Sequence, residues 1–97
     1  MAKGYWIARV DVHDADVYKT YIAANAEPFA KYGARFIVRG GETALKEGTS
    51  RSRNVVIEFP TYEAALACYD SPEYQAAKVL RDPVSEGDLV IVAGYEG

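Results

Sequence analysis

The chain has 97 residues, 49% of them hydrophobic and 26% charged, with a formal net charge of -3. This is the profile of one folded domain, small enough to bury only roughly 60 to 65% of the surface its unfolded form exposes, so support from a partner subunit is expected. The acidic balance and the lack of a basic stripe argue against nucleic acid, and the single cysteine, Cys68, excludes an intrachain disulfide and suits a reducing compartment. The opening apolar run is broken by Arg9 and Asp11, so it reads as neither a signal peptide nor a membrane span, and a cytoplasmic protein is expected.

In chain order, YWIARVDV (Tyr5 to Val12) alternates, with Trp6, Ala8, Val10 and Val12 on one face and Tyr5, Ile7, Arg9 and Asp11 on the other, and predicts a strand. Asp14 then caps a helix on which Val17, Tyr18, Tyr21, Ile22, Ala26 and Phe29 recur at helical spacing as far as Tyr32, with Gly33 as its stop. Pro28 has no N–H to donate, which predicts a kink or a restart near Glu27. A second strand follows, in which Phe36 and Val38 alternate with Arg35, Ile37 and Arg39 until Gly40 and Gly41 end it.

After a polar loop from Glu42 to Ser52, NVVIEF (Asn54 to Phe59) predicts a third strand, and Thr61 caps a helix carrying Ala65, Leu66 and Tyr69. Ser71 and Pro72 restart a helix towards Arg81, which Asp82-Pro83 breaks. The nearly all-apolar DLVIVA (Asp88 to Ala93) reads as a strand buried on both faces. The order βαββαβ, two strand-helix-strand halves, is an α+β ferredoxin-like plan in one domain spanning 1-97. With the sheet in the order 4-1-3-2, both helices cover one face. The other would carry Ile7, Ile37 and Val56 among Arg9, Asp11, Arg39 and Glu58, and a homodimer packed sheet against sheet through that open face is the expected cover.

The pieces YWI, VRGG, the EG of the loop, VVIEFP and SPEYQ, in that order and spacing, resemble the bacterial domain of unknown function family 1330. The resemblance spans Tyr5 to about Gly94 and implies a dimeric α/β barrel built on the ferredoxin-like plan, with no assigned activity. Relatives of the wider barrel group include cofactor-independent monooxygenases, small-molecule isomerases and dehalogenases, and haem-handling enzymes that use the cleft between helices and sheet; this link is one of fold.

No complete catalytic motif is present. Arg39 is the leading candidate, because its guanidinium suits a carboxylate and Gly40 and Gly41 leave the backbone open to close approach. The competing reading pairs Arg39 with Glu58 across the sheet or with the other subunit. Gly40-Gly41 lacks the strand-GxGxxG-helix setting of a dinucleotide site. The long loop suits a lid or a subunit arm, and its Arg51, with Arg53 beyond, would draw an anion towards Arg39. His13, the only histidine, stands at a strand end where a general base would reach a cleft mouth, although no partner acid is set by spacing and a surface role competes.

Of the eight tyrosines, Tyr5, Tyr21 and Tyr74 are candidate pocket lining, the others core. Cys68 reads as an inert buried thiol and Ser71 as a helix cap. Nothing in the sequence assigns a metal, haem, flavin or other cofactor. The leading expectation is a dimer that binds a small organic acid or aromatic metabolite, as an enzyme or otherwise. A non-catalytic dimeric module and a cofactor-independent monooxygenase-like enzyme are the alternatives.

Overall fold

In the computed structural model, which describes residues 2–96, the alternation of the first strand sorts its side chains as expected. Strand β1 (Gly4–Val12) buries Trp6 and Val10 on one face and leaves Ile7 partly exposed on the other. It is central because both neighbours pair with it antiparallel: β3 (Arg53–Phe59) places Val56 opposite Ile7, and β4 (Ser85–Ala93) places Val90 there. The short β2 (Arg35–Arg39) adds outside β3, so the sheet order is β2-β3-β1-β4.

Three helices complete the ferredoxin-like plan: α1 (Ala15–Lys31), α2 (Tyr62–Asp70) and α3 (Pro72–Arg81). Their starts are set by side-chain caps. Asp14, Thr61 and Ser71 accept from the backbone N–H of Val17, Ala64 and Tyr74 at 3.1, 3.0 and 3.1 Å. The hydroxyl of Ser71 also donates to the carbonyl of Cys68 at 2.7 Å, closing α2 as it opens α3. Removing a cap of this kind costs typically about 1 kcal/mol. Contrary to the expected restart, α1 runs unbroken across Pro28, whose ring is fully buried, and Tyr32 and Gly33 (φ 75°) end it.

Trp6, 1% exposed, is the centre of the core. The rings of Tyr74 and Phe59 lie 4.8 and 5.2 Å from it, and its indole N–H donates to the Ala65 carbonyl at 2.9 Å, which fastens α2 to β1. Truncating such a residue to alanine costs roughly 3–5 kcal/mol. Gly4 is required by the same contact, since a Cβ there would meet the Thr61 carbonyl at 2.7 Å.

Two strand readings change. β4 is an edge strand that starts at Ser85, and it is not buried on both faces: Val90 and Val92 are 55% and 42% exposed on the side without helices. β2 carries a bulge between Phe36 and Val38, so Phe36 faces Ile57, Val38 faces Val56, and Arg39 faces Val55. The bulge adds one residue and reverses the alternation after it. Arg39 therefore falls on the helix side with Val55, and Val38 on the open side with Val56.

Candidate functional site

Along α1 the residues Tyr18, Tyr21, Ile22, Asn25 and Phe29 form one face at three- and four-residue spacing, and that face looks down on the covered side of the sheet. Ala8, short and only partly buried, lies on the sheet between Trp6 and Val10 and joins Phe36, Val55 and Ile57 in the floor. The result is a cleft with a cavity volume of about 80 Å³, several times the space one water needs. Tyr74 and Arg81 of α3 and Leu89 of β4 close its far side.

Its walls are aromatic and its charge is positive. Three arginines border it from the helix side, Arg39, Arg53 and Arg81, while Arg9 and Asp88 reach its edge from strand positions that face the open side, where Asp88 is held by Arg51 at 2.9 Å. Among the described residues Arg39 and Arg53 have no carboxylate within ion-pair distance. The Arg39 guanidinium lies 4.0 Å over the Phe36 ring, a cation–π contact that holds it without neutralising it. Arg53 has its Nε fully buried with no hydrogen-bond partner. Gly40 makes room for it: φ is +67°, and an added Cβ would collide with the Arg53 guanidinium.

On the opposite wall the phenols of Tyr21 and Tyr74 share a hydrogen bond of 2.8 Å, and Arg81 reaches the Tyr74 oxygen at 3.4 Å through both Nε and Nη2. Burial raises the pKa of Tyr74, so its proton stays at neutral pH, and Tyr18 is raised for the same reason. The cleft thus offers the guanidinium groups of Arg39 and Arg53 at one end and the Tyr21–Tyr74 hydroxyl pair with Arg81 at the other. Among the described residues no group of three or more His, Cys, Asp or Glu side chains stands close enough to hold a metal ion.

The candidates from the sequence separate. Arg39, Tyr21 and Tyr74 meet in the cleft. Glu58 and Tyr5 do not: they lie on the open side, where the Tyr5 hydroxyl donates to Glu58 at 2.9 Å, and Arg35 and Lys3 pair with the same carboxylate at 3.0 and 3.6 Å. The Tyr5 hydrogen bond, then Lys3 and Arg35, hold Glu58 below the usual carboxylate range. Pairing of Arg39 with Glu58 is therefore overturned, because the bulge sends the two side chains to opposite faces.

His13 sits at the rim of the sheet, 3.9 Å from Glu86 and away from the cleft. Gly41 has open space around it, so only Gly40 of the pair is tied to the site. Arg51, expected to draw an anion, is occupied by Asp11, Asp88 and Glu86 at 3.0, 2.9 and 3.7 Å. Asn25 and Arg81 were not singled out from sequence. Asn25 carried a signal in retrospect, a polar residue inside the apolar face of an amphipathic helix.

The family model described as a domain of unknown function (DUF1330) matches residues 3–95, and the chain belongs to that family. Comparison with characterised proteins finds no match. Among solved structures, a protein of unknown function from Rhodopseudomonas palustris is similar with a TM-score of 0.76 at 14% identity, covering 99% of this chain and 85% of that one. A dimeric ferredoxin-like protein of unknown function from Thermobifida fusca gives 0.63 at 21% identity, over 96% and 92%. SnoaB, a cofactor-independent oxygenase from Streptomyces nogalater, gives 0.64 at 15% identity, over 100% and 97%. At these identities the likeness is one of fold.

Proposed function

We propose that this member of the DUF1330 family binds a small organic acid in the cleft between α1 and the sheet, with Arg39 and Arg53 receiving the carboxylate and the aromatic walls enclosing the body. The observation that carries this reading is the pair of guanidinium groups beside an aromatic cavity with no carboxylate among the described residues to neutralise them. Unpaired charge at a cavity wall is costly to the fold and useful to a ligand. The cavity volume restricts the enclosed part to about the size of one ring, with the remainder in the open mouth.

The alternative of a non-catalytic dimeric module, in which Arg39 and Glu58 fasten the sheet or the subunit interface, loses only its link within one sheet, because Arg39 faces Val55 and Glu58 faces Arg35; a role for either residue at the interface is the second reading. The fold is shared with a cofactor-independent oxygenase, and a monooxygenase-like enzyme is the other alternative.

Dimerisation through the open face is part of the same proposal. Ile7, Val38, Val90 and Val92 present an apolar surface of 36 to 55% exposed side chains on the face that no helix covers, and two similar folds are described as dimeric. Burying that face against a second copy stabilises it at roughly 25 cal/mol per Å².

Calorimetric titration with small aliphatic and aromatic carboxylates tests the ligand. Saturable binding that drops at least tenfold in Arg39→Ala is the expected outcome, and no binding across the panel would refute it. For the dimer, Val90→Asp is expected to yield a monomer by solution mass measurement, and a dimer that persists through this change refutes that interface.

A further inference from the structure

Asn25 stands at the middle of α1, one turn from both Tyr21 and Phe29, and is 5% exposed on the cleft wall. Its carboxamide has no hydrogen-bond partner among the described residues, and Tyr21, the nearest phenol on its face, has committed its hydroxyl to Tyr74. An asparagine is a poor helix former, so local propensity disfavours it at this place, and its unpaired carboxamide keeps only the slight access that the cleft gives it. Polar groups left in this state at a cavity wall mark where a ligand completes the hydrogen bonding.

We infer that Asn25 reads a second, neutral group on the bound acid, a hydroxyl or a carbonyl, so that the ligand class is hydroxy or keto acids of about one ring and not simple carboxylates. This rests on the acid-binding reading above and narrows it. A carboxamide presents donor and acceptor together, which matches a hydroxyl or a carbonyl oxygen, whereas a carboxylate is matched better by the guanidinium groups of Arg39 and Arg53. The Tyr18 phenol, two turns earlier on the same face and without a hydrogen-bond partner among the described residues, is raised in pKa by burial and keeps its proton as a further donor. A site built to hydrogen-bond a substituent rejects the analogue that lacks it, because its own buried groups are then left unpaired.

The experiment compares benzoate with 2-, 3- and 4-hydroxybenzoate and phenylpyruvate by calorimetry on wild type, Asn25→Leu and Asn25→Ala. The expected result is that at least one hydroxy or keto acid binds wild type about tenfold tighter than benzoate, the worth of one good hydrogen bond. Both variants lose that preference, so that the ratio of the substituted acid's affinity to that of benzoate falls to about one whatever the absolute affinities. Asn25→Leu, near in size and free of the unpaired carboxamide, is expected to melt no lower than wild type, and Asn25→Ala carries the comparison if the branched side chain does not fit.

Equal affinities for benzoate and every substituted acid in wild type, or a preference that survives in both variants, overturns the inference while leaving the arginine site standing. Absence of binding by all the acids overturns both.

Discussion

Replacing Arg53 by methionine separates a residue kept for a ligand from one kept for the fold. Methionine preserves most of the stem length and removes the guanidinium, including an Nε that is buried with no partner. An unsatisfied buried donor costs about 1–3 kcal/mol, and because Arg53 is only half-buried the low end applies, so Arg53→Met is expected to gain about 1 kcal/mol in the absence of ligand. For a chain of 97 residues that is a rise in Tm of about 4–8 °C.

Added acid reverses the order. At a hundredfold excess over Kd the wild type gains about 2.7 kcal/mol by mass action, while the variant gains little, so the wild type becomes the more stable by about 1.7 kcal/mol. Trp6, the only tryptophan and 1% exposed at the cleft wall, reports the unfolding by its fluorescence in denaturant titrations run with and without the acid. A variant that is less stable than wild type without ligand, with no crossing of the two curves in acid, would show that Arg53 serves the fold and refute the reasoning.

Arg39→Ala and Glu58→Gln are expected to have additive effects on stability, since the residues share no contact, whereas Arg35→Ala and Glu58→Gln should couple through their 3.0 Å bridge; a double-mutant cycle on each pair distinguishes them. Gly40→Ala should destabilise by more than about 1 kcal/mol and weaken acid binding, because φ is +67° and the new Cβ meets Arg53; urea unfolding and titration read the two effects.

The Ser52 backbone N–H, then the Ser52 and Arg51 side chains, hold the Asp11 carboxyl below its usual range. A carboxyl with a lowered folded pKa stabilises above the unfolded value, about 4, and that support is lost as pH falls through the lower folded value. Proteolytic cleavage between residues 42 and 50 should therefore rise in acid, and Asp11→Asn should make it fast already at neutral pH. Cys68, fully buried and pushed up to about 12 by desolvation and then by Glu73, should react with a thiol reagent at pH 8 only as fast as the protein opens. A rate equal to that of a free thiol would contradict the core placement.

Periodicity and capping chemistry were enough for most of the fold. The alternation of β1, the helical spacing from Tyr18 to Phe29, and the caps Asp14, Thr61 and Ser71 are local signals, each readable within a few residues, and together they yield βαββαβ. The reading of β4 as doubly buried failed because apolar content alone does not distinguish a central strand from an edge strand with an uncovered face. Pro28 misled for a related reason: burial of its ring in the core outweighs the one backbone hydrogen bond it removes.

The site depended on an event that period-two counting cannot register. One extra residue in β2, between Phe36 and Val38, turns Arg39 from the open face into the cleft beside Arg53 and Phe36. Sequence by itself determined that an arginine would stand at a strand end next to Gly-Gly, with tyrosines and a phenylalanine at helical spacing before it. Only the tertiary structure decided which face that arginine takes, because the bulge is fixed by pairing with β3, which lies beyond the long loop and outside any local pattern around Arg39.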